Sequence, residues 1–219
     1  MTFASLFVDS FRFIPDNASL LWHEGLVTVE LAFLSLGIAA AVALPLGLWL
    51  GHKHRGLFFA LAVSNVARAL PSIVLIGFAI LVLHFSLFGD CVVALVVIAI
   101  PPILTNSFFA VDGVDRDAVD AARGMGMTEA QILLRVELPL GLPLILAGLR
   151  IAAVFAIATA TIAGIVGGGG LGDIVANIPT YRVAGVLGAS YCVAALALLA
   201  AGALAFLQRM AFRRMSPSA

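Results

Sequence analysis

Residues 112–139 read DGVDRDAVDAARGMGMTEAQILLRVELP. The stretch holds six of the chain's 12 acidic residues and three of its 12 basic ones, with hydrophobic segments on both sides. A polar stretch in that setting belongs in a loop at a membrane surface. From Val111 the apolar residues recur at Val114, Ala118, Ala121, Ala122 and Met125, the spacing of one helix face. Asp115 and Asp117 sit where a first turn favours negative charge. Gly124 and Gly126 offer left-handed positions that end a helix cheaply. Thr128, with Gln131 three residues on, forms a capping box for a second helix. That helix carries Ile132, Leu133 and Val136 and is predicted to close at Leu138-Pro139. The stretch reads as helix, glycine turn, helix, lying at the interface.

The flanks agree. With 63% hydrophobic and 11% charged residues and a mean hydropathy of +1.15, the chain is an integral membrane protein. Zero net charge leaves no basic field for nucleic acid. Cys91 and Cys192 lie in apolar segments and read as small buried hydrophobes. The four histidines form no HExxH and no Cys/His cluster, so no metal site is expected. Residues 1–25 lack the basic start, apolar core and cleavage site of a signal peptide. They read as an external interfacial segment with Trp22 at headgroup depth.

The predicted fold is all-α: five transmembrane helices over about 26–51, 57–85, 91–109, 143–166 and 183–207, with loop 112–139 between the third and fourth. Residues 26–208 make one domain, and 209–219 a tail. Pro71 is expected to kink or break the second span, and Pro101-Pro102 to interrupt the third, where neighbouring helices or water must satisfy the freed carbonyls. Small residues such as Ala147, Gly148, Ala152 and Ala156 mark the fourth as a close-packed helix. Gly167 to Gly172 spells GGGGLG, which contains GxGxxG, but no strand precedes it and no Lys-Ser/Thr follows. It is neither a dinucleotide site nor a phosphate loop, and reads as a flexible external turn with close backbone contacts.

Orientation follows from the basic residues near the span ends. Lys53, Arg55, Arg116, Arg123, Arg135, Arg209, Arg213 and Arg214 lie on one side, against Arg12 and Arg182 on the other. The loop and the C-terminus are therefore expected in the cytoplasm and the N-terminus outside. Polarity inside the apolar segments makes Asn65, Arg68, Ser72, Asn106, Thr159 and Thr161 candidates for a translocation pathway. Arg68 could equally pin neighbouring helices through backbone carbonyls.

Asp120-Ala121-Ala122, three residues, Gly126, nine residues, then Val136-Glu137-Leu138-Pro139 resembles the EAA loop of ABC importer permeases. That motif is Glu-Ala-Ala, three residues, Gly, nine residues, Ile, any residue, Leu-Pro. Asp120 stands for its Glu and Val136 for its Ile. Pro45-Leu46-Gly47, Leu70-Pro71-Ser72 and Gly168-Gly169-Gly170-Leu171-Gly172-Asp173 resemble further segments of the same family, so the likeness covers most of residues 25–210. The stretches around Gly126 and Pro139 look most like permeases for glycine betaine, choline and related osmoprotectants, with the five-helix methionine-importer branch second.

The resemblance implies a transport subunit and not an enzyme. Asp120, Ala121, Ala122, Gly126, Val136, Leu138 and Pro139 would form the element that seats on a cytoplasmic ATPase dimer. ATP and Mg would be bound by that partner, with no cofactor or metal on this chain. A second permease, identical or homologous, and an external substrate-binding protein would complete an importer in the inner (plasma) membrane of a prokaryote. An intramembrane CDP-alcohol phosphotransferase, faintly resembled by Asp112-Gly113 and Ala122-Arg123, needs further aspartates eight to sixteen residues on; none lies between Asp120 and Asp173.

Overall fold

The computed structural model describes residues 3–215, apart from side chains at 3–6, 63, 66–68 and 211–215. In chain order its helices are α1 (Phe3–Asp16), α2 (Ala18–His52), α3 (Leu57–Ala69), α4 (Ser72–Leu83), α5 (Leu87–Asp112), α6 (Arg116–Gly124), α7 (Glu129–Ile132), α8 (Leu138–Ile165), α9 (Leu171–Ala176) and α10 (Ile178–Met215), with a π-helical turn, Leu133–Glu137, joining α7 to α8. The described residues contain no strand. Among the described residues, four helices are long and apolar enough to cross a membrane: Ala18–His52, Leu87–Asp112, Glu129–Ile165 and Ile178–Met210.

The second predicted span is two helices. Leu70 (φ −87°, ψ 126°) and Pro71 (φ −60°, ψ 131°) are extended, the conformation a proline imposes on itself and on the residue before it. The 13 residues of α3 and the 12 of α4 rise only about 20 Å and 18 Å at 1.5 Å per residue. Helix α2 begins at Ala18, ahead of the boundary expected at Leu26, because Trp22, His23 and Glu24 depress hydropathy without breaking the helix. Arg182 interrupts α10 (φ 57°, ψ 179°), so the last regular helix runs on from the residue where the fifth span was expected to start.

Helices α2, α5 and α8 make the core. Leu36, Ala39 and Ala43 of α2 meet Ala99 and Ile103 of α5 and Ala152 of α8 in one cluster, and Leu31, Leu95 and Ala160 lie in a second that also takes in Ile76 of α4. The contact is close because the facing residues are small. Pro101 and Pro102 do not interrupt α5, which is continuous across them. Within that helix Thr105 Oγ1 donates to the Pro101 carbonyl and Asn106 Nδ2 to the Pro102 carbonyl (2.7 Å). Many large apolar side chains face outward, Phe58, Leu81, Leu198 and Trp22 among them. In water such a surface would aggregate; in a bilayer it faces hydrocarbon.

The glycine-rich turn before α9 is held, not loose. Gly170 N–H donates to Glu24 Oε2 (3.0 Å) and Leu171 N–H to Thr28 Oγ1 (2.9 Å), both on α2. A Cβ on Gly172 would land on the Thr161 carbonyl oxygen of α8. Beside this turn a polar cavity of about 590 Å³ is lined by Glu24, Asp173, Asn177 and Tyr181. Burial, and then the neighbouring Glu24, push the Asp173 carboxyl above the usual carboxylate range.

Candidate functional site

The hairpin at 112–139 folds on a small core of its own. Val119, Ala122 and Ile132 are buried, with Val114, Met127 and Val136 packed against them. Asp115 caps α6 by accepting from Asp117 N–H (2.9 Å). Its end is a Schellman motif: Met127 N–H donates to the Ala122 carbonyl (3.2 Å) and Gly126 N–H to the Arg123 carbonyl (3.0 Å). Gly126 takes the left-handed position (φ 83°), and Met127 folds back onto the cluster containing Ala122. The spacing of four from Ala122 to Gly126 is thus the spacing of that helix end. The capping box then starts α7: Gln131 N–H donates to Thr128 Oγ1 (3.4 Å), and Thr128 N–H to Gln131 Oε1 (2.9 Å).

Three expectations about the hairpin need correction. Gly124 stays helical as the last residue of α6, and only Gly126 turns left-handed. The predicted inner face ran straight from Val111, but Val111 belongs to α5, and a turn at 113–115 resets the phase. Val119 therefore points inward while Ala121 and Met125 point out, Met125 at 72% exposure. Leu138-Pro139 does not end the second helix. The π-helical turn carries it into α8, and Pro143, the expected start of the fourth span, lies inside that helix.

The motif residues divide into support and surface. Ala122 is buried, and Val136 and Leu138 are half-buried. Asp120, Ala121, Gly126 and Pro139 are exposed, and a Cβ on Gly126 would meet nothing within 4 Å. Exposed Met125 and Leu134 add an apolar element to this polar surface. Asp120 Oδ1 accepts from Arg123 Nη1 (3.0 Å), and Arg123 also donates Nε and Nη2 to Glu129 (3.1 and 3.3 Å). The hydrogen bond from Arg123 holds the Glu129 carboxyl below the usual carboxylate range.

The segment His52 to Arg55, whose Lys53 and Arg55 enter the orientation count, supplies partners the sequence did not disclose. His52 Nδ1 lies 2.6 Å from Glu137 Oε2, and its Nε2 3.3 Å from Glu129 Oε2. His54 Nδ1 lies 2.8 Å from Asp112 Oδ1. No spacing rule pairs residue 52 with 137. The available signal was an acid, Glu137, amid an apolar run.

The five pathway candidates with described side chains do not converge. Ser72 lines a cavity of about 270 Å³ with Leu70, Pro101, Pro102 and Phe155, where α3 breaks from α4 beside α5 and α8. Asn65 is exposed on α3, and the Arg68 side chain lies outside the described residues. Asn106 bonds back to its own helix and abuts Gly148 of α8. Thr159 is buried, and Thr161 Oγ1 donates to the Ile157 carbonyl (3.2 Å). Phe155, which polarity alone could not single out, is the aromatic member of the Ser72 cavity. Among the described residues no three His, Cys, Asp or Glu side chains gather as metal ligands would.

A broken α3–α4 unit thus lies on a three-helix core, with a capped hairpin at one end. Residues 43–217 match the family of binding-protein-dependent transport system inner membrane components, and the chain belongs to that family. It is an integral inner-membrane permease subunit, whose ATPase activity resides on a separate chain.

The chain is 38% identical over 192 residues to the carnitine transport permease protein OpuCB of Listeria monocytogenes, covering 87% of this chain and 85% of that one. It is 31% identical over 208 residues to the choline transport system permease protein OpuBB of Bacillus subtilis, covering 94% of each. A solved structure of the MetNI methionine ABC transporter in an inward-facing conformation shares its fold with a TM-score of 0.76 at 25% identity, over 89% of this chain and 97% of that one.

Proposed function

We propose that this chain is the permease of an ATP-driven importer for glycine betaine, choline, carnitine or a related quaternary amine. The hairpin 112–139 is its coupling element. The observation that carries the coupling assignment is the geometry of Gly126: a left-handed helix end with open space around it, beside the exposed Asp120 carboxylate and the Met125 side chain. Such a tip offers close backbone approach, a charge and an apolar contact to another protein. The carnitine and choline permeases named above support the substrate class.

In this reading α3 and α4 together make one crossing, which gives five. The N-terminus lies outside and the C-terminus in the cytoplasm, as the basic residues ask. Two permeases, identical or homologous, enclose the pathway. Each hairpin rests on one subunit of an ATPase dimer that binds ATP and Mg, and an external protein delivers the amine. Ser72 and Phe155 are the pathway residues best supported, since both line the cavity at the α3–α4 break. Likeness to the methionine transporter favours a second reading, an amino-acid importer of the same mechanism.

The test is uptake of labelled glycine betaine by transport-deficient cells expressing the complete system, with choline, carnitine and methionine as competitors. Gly126→Asp strains the left-handed position by about 1–2 kcal/mol and meets no neighbour in this chain. It is expected to stay inserted and lose both ATPase and uptake. Normal uptake by Gly126→Asp removes the coupling assignment, and displacement by methionine alone moves the substrate to the second reading.

A further inference from the structure

The hairpin is joined to α8 by a continuous helix, and to α2 through side chains. Glu137 is the centre of that second connection. It occupies the position between Val136 and Leu138 that the EAA pattern leaves open, yet its side chain is 1% exposed. A carboxylate buried so deeply needs a partner. His52, near the end of α2 and itself only 7% exposed, supplies one at 2.6 Å, the short distance of a charge-assisted bond. The other ring nitrogen of His52 faces Glu129. Glu129 in turn holds Arg123, and Arg123 holds Asp120. One chain of polar contacts therefore runs from a buried root at α2 to the exposed carboxylate of the hairpin surface.

We propose that His52 is a positioning residue of the transport cycle: clamped between Glu137 and Glu129, it transmits displacement of the hairpin to α2. The inference rests on the reading of the hairpin as the coupling element. Helix α8 receives hairpin motion through covalent continuity. Helix α2 packs against both α5 and α8 in the core, so it must move in step if the pathway is to reopen. Without the His52 contact, α2 lags and ATP is spent without transport.

The experiment uses the complete transporter in proteoliposomes, with ATP hydrolysis and uptake of labelled glycine betaine, choline, carnitine and methionine measured on the same vesicles. His52→Ala is expected to assemble with the ATPase, keep hydrolysing ATP and move at least about fivefold less solute per ATP, the low end of a typical coupling between sites. His52→Gln keeps a donor toward Glu137 and is expected to recover most of the ratio. Loss of abundance alone would not change solute per ATP, which separates positioning from mere support.

If the unpaired Glu137 prevents His52→Ala from assembling, the double variant His52→Ala/Glu137→Leu removes the stranded charge and is expected to assemble and remain uncoupled. An unchanged ratio in His52→Ala, or in the double variant, overturns the proposal. Gly126→Asp run in parallel separates the two failures. If it loses the ATPase while His52→Ala stays fully coupled, only the role of His52 falls. If it keeps both ATPase and transport, the coupling reading falls and takes His52 with it.

Discussion

Gly172→Ala sets two known effects against each other. Gly172 is helical within α9, where alanine is favoured over glycine by about 1 kcal/mol. Against that, the added Cβ would sit on the Thr161 carbonyl oxygen and within 2.8 Å of Gly164 Cα. Both obstacles are backbone of α8, so neither can swing aside as a side-chain tip would. Overpacking of this kind costs about 1–3 kcal/mol and sometimes more. Helix α9 is also pinned to α2 by the hydrogen bonds of Gly170 and Leu171, which blocks relief by sliding.

So close a contact with the Thr161 carbonyl oxygen puts the steric cost at about 2–3 kcal/mol, so it wins, and net destabilisation of about 1–2 kcal/mol is expected. At about 2–4 °C per kcal/mol for a chain of this size, the thermal midpoint in detergent falls by about 2–8 °C. The readout is a thiol-reactive fluorophore in a Cys192→Ser background, since Cys192 is half-buried whereas Cys91 is fully buried and reacts on opening. Gly124→Ala is the control: it lies on the exposed last turn of α6 with nothing within 4 Å, and is expected to be neutral or to raise the midpoint slightly. A midpoint for Gly172→Ala at or above that of the parent would refute the reasoning, because it would mean that α9 is free to move off α8.

Two further substitutions test other parts of the fold. Ile132→Ala empties the centre of the hairpin's own core, where Ile132 is fully buried; a loss of about 2–5 kcal/mol exceeds what so small a cluster can absorb. Limited proteolysis is expected to cut between residues 113 and 135 in this variant and not in the parent. Asp173→Asn tests the raised Asp173 carboxyl. An acid whose folded value is raised favours folding below its unfolded value, near pH 4, and loses that contribution as pH rises through the folded one. The variant is therefore expected to melt higher than the parent at neutral pH, with the difference closing towards pH 4; a pH-independent difference would remove burial of charge as its cause.

Local chemistry was legible and relations across the fold were not. Thr128 with Gln131, Asp115 at the start of α6 and Gly126 at its end are short-range patterns, and each stands where the spacing put it. Pro71 breaks its helix because proline acts on its immediate neighbours. The inner face of α6 departs from the periodicity that starts at Val111, because the turn at 113–115 resets the phase and buries Val119 in place of Ala121 and Met125. Polarity within an apolar run was a poor guide to the pathway. Thr105, Asn106 and Thr161 direct their side chains to carbonyls of their own helices, as such residues commonly do in the absence of water. The contact of His52 with Glu137 spans 85 positions and leaves no periodic trace.

The π-helical turn explains why Leu138-Pro139 stands where it does without ending a helix. Proline offers no N–H, and its ring crowds the carbonyl one turn earlier. Leu138 N–H pairs back to the Leu133 carbonyl, five residues away, so the ladder has already widened when the proline arrives. A wide turn admits the ring and the helix continues, from Glu129 to Ile165 over 37 residues, or about 55 Å at 1.5 Å per residue. The extra residue also shifts the phase between the two halves. Ile132 and Val136 meet the hairpin core while Glu137 reaches His52, and Gly148 and Ala152 further on still face α5. A regular α-helix would carry these positions on one continuous phase, and a proline break would let the hairpin swing free of α8. The π-helical turn does neither: it resets the face and keeps the shaft, so a push on the hairpin reaches α8 as a rigid displacement.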